Sequence, residues 1–395
     1  MKFSKILLLI PLFLISDDSI LSELKQKEFN VDFQKSDVES KKLKDSWINP
    51  INMSYSYTKS DQYGLDQENR SFRIIVDQPI FKSGGIYFAI KYAQANKIFS
   101  HLSIKEQKKE LIATAINLLY NYNKTKLLLK KQKYMIKNSK IDVLRKKEQY
   151  LSGIIDSSFL DQAILAKNQN ELKYIELKST LEDILKNFKD ISDKDPNNLK
   201  MLHFTLINRS DFLRENISIK KAKEDERVKR YFKNMTIARY LPSLSLTASY
   251  NTQEISGSFY MPPGKESFKD YGFKITMPLF DINSFRNIES TKLDYLKSKL
   301  LTQDMKRAEI NRYKNVLRKL RLIDKKIELT KEDIALYEKL YEDTKEKFEA
   351  GEKTVYDIET MKNSLEARKL DIKIYQIEKQ MALLELYKRV EDGKI

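Results

Sequence analysis

The stretch "QPIFKSGG", residues 78–85, is where two sequence patterns meet. Before it, "SFRIIVD" (71–77) alternates Phe72, Ile74 and Val76 with other residues, the two-residue period of a β-strand. After it begins a polar, lysine-rich stretch of helical character, and no further proline occurs until Pro196. The junction is written a second time, where "YGFKITM" (271–277) alternates and runs into "MPLFDINS" (277–284). Proline cannot continue a strand ladder and favours the first turn of a helix. Pro79 and Pro278 are therefore expected to mark a descending strand becoming a descending helix, with Phe81 and Phe280 buried at the joint. Pro50 and Pro242 mark the converse junction, where a helix becomes a strand.

Composition supports long helices. The 395 residues include only 9 glycines and 8 prolines, whereas 33% are charged and the formal net charge is +17. Ordinary domains have about 25% charged residues and more glycine. The lysines are read as interspersed with Glu and Asp, as in "KIDVLRKKEQ" (140–149), the look of solvated helix faces, and no nucleic-acid-reading motif accompanies them. There is no cysteine, and only His101 and His203 supply imidazole, so neither thiol chemistry nor a metal cluster is expected. At the N-terminus, Lys2 and Lys5 flank the start of "ILLLIPLFLI" (6–15). That apolar run is half the roughly 20 residues a membrane-spanning helix needs. It is read as a secretory signal, residues 1–16, over the alternatives of an interfacial anchor or a buried helix.

The chain is written twice. Prolines are absent for 116 residues after Pro79 and for 117 after Pro278. Within those tracts Gly153 and Gly351 are the isolated glycines before Pro196 and Gly393, each three residues after an aromatic: "YLSG" (150–153) and "FEAG" (348–351). Ala115, Tyr122, Leu129, Ile136, Val143 and Tyr150 are spaced by seven, as are Tyr313, Leu320, Ile327, Ile334, Tyr341 and Phe348, at a constant offset of 198. Such spacing packs helices in coiled-coil fashion. The predicted order in each half is helix, strand pair, long helix, glycine-marked turn, long helix. The first repeat spans 17–190, with strands at about 51–77 and a turn near 153. The second spans 191–395, with strands at about 243–277 and a turn near 351.

The strands alternate strictly. In "INMSYSYT" (51–58), Ile51, Met53, Tyr55 and Tyr57 oppose Asn52, Ser54, Ser56 and Thr58, and "LSLTASY" (244–250) behaves alike. Apolar, tyrosine-rich faces backed by small polar ones suit a membrane barrel, and a half-buried soluble sheet shows the same alternation. The signal-like N-terminus and the long helices favour the membrane. Four strands cannot close a barrel, which takes about eight, and open edges do not survive in lipid. A barrel must then be shared between chains.

With these pieces in place, the sequence resembles the TolC-like family of outer-membrane efflux ducts. The resemblance lies in "QPIFKSGG", "MPLFDINS", "YLPSLSLTASY" (240–250) and the turns "YLSGIIDSSFLDQA" (150–163) and "FEAGEKTVYDIETM" (348–361), and it covers most of 20–390 in both halves. It implies a mainly α fold with a membrane β part. A homotrimer would form a twelve-stranded barrel in outer-membrane lipid of a Gram-negative cell, continuous with a helical tunnel in the periplasm. The tip, at Tyr150, Ser152, Gly153, Ala350 and Gly351, would dock a periplasmic adaptor (membrane fusion) protein bound to an inner-membrane pump (RND, ABC or another class). The resemblance further implies a channel constriction at Asp357, with Glu359, Thr360 and, in the first half, Phe159 at related positions. Ser158, Lys353 and Phe348 match gating contacts that hold the tip closed. Where family members often carry a second aspartate this chain has Thr360, and Phe348 lacks a tyrosine hydroxyl. Asp357 can equally be an ordinary solvated carboxylate. No enzyme site, cofactor or bound metal is expected. The alternative from another class is a soluble or periplasmic coiled-coil scaffold or adaptor. Small-molecule efflux and protein secretion are not separated by the sequence.

Overall fold

The computed structural model describes residues 20–62, 65–256 and 262–391. The signal segment and parts of both strand-connecting loops lie outside these residues. The elements are α1 (Glu23–Lys44), β1 (Asn52–Gln62), β2 (Leu65–Phe81), α2 (Gly85–Leu151), α3 (Ser157–Lys189), α4 (Arg209–Arg214), α5 (Ile217–Arg239), β3 (Ser243–Ile255), β4 (Gly264–Thr276), α6 (Ile282–Glu349) and α7 (Val355–Tyr387). The duplication is metrical: α2 and α6 have 67 and 68 residues, and α3 and α7 have 33 each.

The chain packs as two units that do not follow the repeats. One comprises the chain up to Asn30, Lys105–Ile217 and the chain from Ala308; the other comprises Val31–Ile104 and Ser218–Arg307. Each repeat thus contributes to both units.

The first unit is helical. Among its buried residues are Ala115, Leu119 and Phe188, which cluster with Ile191 and Leu199. Both heptad stripes lose burial in step: Ala115, Tyr122, Tyr313 and Leu320 are buried, the next three of each set are half-buried, and Tyr150 and Phe348 are exposed. Polar contacts define which helices are neighbours. On α3, the Asn170 carbonyl accepts from Gln132 of α2 at 3.0 Å. The α2 residue Lys131 pairs with Asp371 of α7 at 2.6 Å. Lys379 of α7 pairs with Asp324 of α6 at 2.7 Å. The lateral order is therefore α3, α2, α7, α6, with α3 and α6 at the edges.

The second unit holds an antiparallel sheet in the order β1-β2-β3-β4, together with the adjoining helical segments. Two expectations about its joints are corrected. Pro79 does not open a helix: β2 continues through it to Phe81, with a bulge against Ser245 and Leu244, and α2 starts at Gly85. At a bulge the missing proline N–H costs no ladder bond. Nor are the joint aromatics buried within the chain, for Phe81 is 54% and Phe280 89% exposed. Phe81 pairs with Leu244 and so extends the apolar face of the sheet, and Phe280 follows edge strand β4. Pro50 stands two residues before β1 and Pro242 directly before β3, as expected.

Candidate functional site: the sheet face and the hairpin tips

Register decides what the sheet can do, because directly opposed residues share a face. Met53 opposes Ile74, which opposes Tyr250; Tyr55 opposes Phe72; Val76 opposes Ala248, which opposes Tyr271; and Leu246 opposes Phe273. One face thus carries an apolar band across all four strands. Edge-strand residues on it are open to solvent in the chain, with Met53 at 71%, Tyr271 at 90% and Phe273 at 73% exposure. The apolar run also steps along the strands. Tyr250 faces Lys269 on β4, and the apolar residues there begin two positions later, at Tyr271. A band that moves along successive strands is level only if the strands are tilted to it, as they are in a membrane barrel.

The other face is polar and internally bonded. Ser56 and Ser71 share a hydrogen bond of 2.7 Å, Arg73 Nε donates to Asn251 Oδ1 at 2.5 Å, and Lys274 pairs with Asp77 at 2.7 Å. Among the described residues no helix is long and apolar enough to cross a membrane.

In the helical unit the two hairpin turns share one geometry. Gly153 and Gly351 have φ of 70° and 80°, a left-handed conformation that disfavours residues bearing a Cβ. In the first turn, Gly153 N–H donates to Tyr150 O and Ile154 N–H to Gln149 O. In the second, Gly351 N–H donates to Phe348 O and Glu352 N–H to Lys347 O. This is the Schellman arrangement, and it explains the spacing of aromatic and glycine read from the sequence.

Beyond the turns the repeats differ. The Asp357 carboxylate accepts from the Thr354 N–H at 3.0 Å and from its hydroxyl at 2.8 Å, and pairs with Arg145 of α2 at 2.9 Å. The Thr354 donors, aided by Arg145 and Lys353, hold its carboxyl below the usual range, against a smaller opposing effect of burial. The equivalent residue of the first repeat, Phe159, lies half-exposed under the Lys146 ammonium, 5.7 Å from its ring centre, and Asp156 caps α3 without a side-chain hydrogen bond.

Asp357 is the last rung of a ladder that sequence reading missed. Lys124 meets Glu378 at 3.8 Å, Lys131 meets Asp371, Asn138 accepts from Asn363 at 2.9 Å and donates to Ser364 at 3.0 Å, and Arg145 meets Asp357. The α2 members are seven residues apart, a spacing that keeps one face of α2 against α7. The only available signal was that heptad of polar residues, whose partners stand more than 200 positions away.

Thr360 lies beside the ladder, its carbonyl accepting from Asn138 at 3.3 Å and its buried hydroxyl without a hydrogen-bond partner among the described residues. Glu359 is exposed and makes no ion pair among the described residues. Ser158, Lys353 and Phe348 all lie near the surface, and no side-chain hydrogen bond or ion pair joins them to one another among the described residues. Tyr150, Ser152, Gly153, Ala350 and Gly351 are all exposed at the turns.

Comparison with known proteins agrees with this architecture. Residues 208–390 match the outer membrane efflux protein family, a family of channels and not of enzymes. No curated protein is matched by sequence. Among solved structures, the Campylobacter jejuni CmeC outer membrane channel aligns with a TM-score of 0.73 at 17% identity, over 96% of this chain and 85% of that one. The Vibrio cholerae outer membrane protein VceC aligns at 0.72 and 12%, over 92% and 93%. The open state of the Neisseria gonorrhoeae MtrE outer membrane channel aligns at 0.71 and 12%, over 95% and 87%. The resemblance to TolC-like ducts therefore stands: residues 208–390 match the outer membrane efflux protein family, and the chain as a whole has the fold of outer-membrane channels.

Proposed function

We propose that this chain is one subunit of a trimeric duct in the outer membrane, its sheet lying in lipid and its helices forming a periplasmic tunnel. The observation that carries this reading is that each of its two layers is an open fragment with apolar surface to cover. The four-stranded sheet has an apolar band across one face and, among the described residues, two unpaired edges. The helical layer has edges at α3 and α6, and both expose leucines seven apart: Leu165 and Leu172 on α3, and Leu322, Leu329 and Leu336 on α6, each at least half-exposed. A heterologous contact, the α6 edge of one copy against the α3 edge of the next, closes into a ring. Three copies give twelve strands, an even number within the range of membrane barrels.

In this reading the exposed turns meet a periplasmic adaptor, an inner-membrane pump supplies the energy, and solutes or proteins leave through the lumen. Asp357, Glu359, Thr360 and Phe159 would line the narrow end. Since Arg145 neutralises Asp357, Glu359 is the acidic group that would set ion preference there.

The test is assembly and conduction. Extracted in a neutral detergent, the protein should have the mass of three chains once detergent is subtracted, and it should form conducting pores in planar bilayers. A folded, non-conducting monomer contradicts the reading.

A further inference from the structure

In the helical unit, α2 and α7 are crossed by an irregular strap, residues 199–208. Its backbone is pinned to both. The Tyr120 hydroxyl donates to Leu202 O at 2.5 Å, and Gln380 Oε1 accepts from Phe204 N–H at 2.6 Å. Beneath and beside the strap lies a cavity of about 650 Å3. That volume falls in the range of small-molecule sites, roughly 300–1,000 Å3. Leu127, Met201, Leu202 and Ile377 supply apolar wall, and Lys126, Lys373 and His203 bring polar groups to it. Lys126 donates to Asn197 at 3.1 Å, which leaves its charge uncompensated. Lys373 makes no ion pair or hydrogen bond among the described residues.

The charge around this cavity is only partly balanced: Lys124, Lys131 and Arg145 pair with acids of α7, and Lys379 of the lining with Asp324, whereas Lys126 and Lys373 have no acidic partner among the described residues. Residues 124–147 of α2 hold ten Lys and Arg and a single acid, Asp142. Lys126, Lys130, Lys133, Lys137, Lys140 and Lys147 fall three, four or seven residues apart and are all exposed. They form one stripe that begins at the cavity. Glu171 approaches Lys140, at 3.5 Å. Asp142 is displaced around the helix from the stripe by its sequence phase. Such a stripe raises the local concentration of anions. An apolar recess of molecular size at its end selects those with an apolar body.

We propose that this cavity binds a small organic anion, one carboxylate, sulfonate or phosphate head on an apolar body, with the head on Lys373 and Lys126 and the body against Leu127 and Ile377. The strap is held to α2 and α7 by the hydrogen bonds of Tyr120 and Gln380, which fixes the wall of the site. Its occupancy does not depend on conduction, and a failure here leaves the channel reading intact.

The experiment is calorimetric titration of the full-length protein in neutral maltoside detergent with naphthalene-2-sulfonate and, separately, with dodecanoate. The cation 2-naphthylmethylammonium serves as the charge-reversed control. The expected result is one saturable anion site per chain and no saturable binding of the cation. Lys373→Glu should weaken anion binding at least tenfold and Ile377→Trp, which fills the recess, should abolish it. Lys147→Glu, on the stripe but away from the cavity, should change it less than twofold. Tighter dodecanoate assigns a lipid-derived ligand, and tighter naphthalene-2-sulfonate a soluble aromatic one. Each variant is first checked for unchanged mass in detergent. Equal binding of cation and anion, or undiminished anion binding by a Lys373→Glu protein of unchanged mass, overturns the assignment.

Discussion

Positions 124, 131 and 138 on α2 hold Lys, Lys and Asn, and the positions 198 residues later on α6 hold Leu322, Leu329 and Leu336. The first set is satisfied inside the chain by Glu378, Asp371 and Asn363 of α7. The second set is more than half-exposed in the chain. The residues equivalent to Asn363 and Leu370 of α7 are Leu165 and Leu172 of α3, and these are exposed too. A duplicated scaffold thus offers the same contact twice, once within the chain and, in the proposed trimer, once between chains. The internal copy is polar and the external copy apolar. Polar rungs fix the register of two helices already tethered to each other, since a mispaired buried carboxylate is costly. Apolar rungs supply association energy for chains that must first find one another.

The largest expected effect lies on the external copy. Leu329→Asp should abolish the trimer in mild detergent, since each seam loses a leucine worth about 1.5–3 kcal/mol when buried and gains a charge in its place. Detergent-subtracted mass reads the outcome. Lys131→Leu, the matching change on α2, should leave the trimer intact.

On the internal copy, Lys131→Ala removes the partner of Asp371, whose side chain is only 7% exposed. Arg368 remains 3.6 Å away and offsets part of the loss. A destabilisation of about 2 kcal/mol is expected in denaturant unfolding. Lys130→Ala, on the exposed stripe, should be nearly silent.

The two turns sharpen the comparison because their backbone is the same. An added Cβ would meet nothing within 4 Å at either Gly153 or Gly351, so only the left-handed φ opposes it. Gly153→Ala and Gly351→Ala should each cost about 1 kcal/mol, and by equal amounts. Unequal costs would mean that the turns differ in the folded protein.

The smallest effect is at Asp357. Its carboxyl is held below the ordinary value in the folded state, so the stability it contributes is present above the unfolded pKa, near 4, and is lost as pH falls through the depressed folded value. Asp357→Asn should therefore cost about 0.5–1 kcal/mol at pH 7, as loss of a helix-capping group does. That cost should shrink once the pH falls below the folded-state pKa of Asp357. In bilayer recordings Glu359→Gln should reduce cation preference more than Asp357→Asn, whose charge Arg145 already offsets.

How much of this was legible in the sequence follows from where each signal lies. Turns and strand boundaries are local: glycine at a left-handed position and proline beside a strand mark themselves, and so the duplication and the four strands could be read. The burial of Phe81 and Phe280 was misjudged because an aromatic at a joint looks alike whether it meets its own chain or is left facing outward. The α2–α7 ladder showed only its α2 half, a heptad of polar residues, because Lys131 and Asp371 are 240 residues apart. The basic stripe was passed over because lysines were read against the composition of the whole chain, whereas charge on a helix acts by face. The exposed leucines of α6 gave no signal alone, since a heptad leucine does not say whether its partner belongs to the same chain.

The most direct test uses the absence of cysteine from the chain. Asn138 and Asn363 touch across the internal contact at 2.9 Å, and their equivalents on the proposed seam are Leu336 and Leu165. In the double variant Leu165→Cys, Leu336→Cys, oxidation or a short bis-thiol crosslinker applied to the membrane-assembled protein should join chains into covalent dimers and then trimers on denaturing gels. Either single variant should give none. Crosslinking confined within one chain, or no crosslinking in a protein that still has trimer mass, would contradict the α6-to-α3 seam and with it the assembly proposed for this duct.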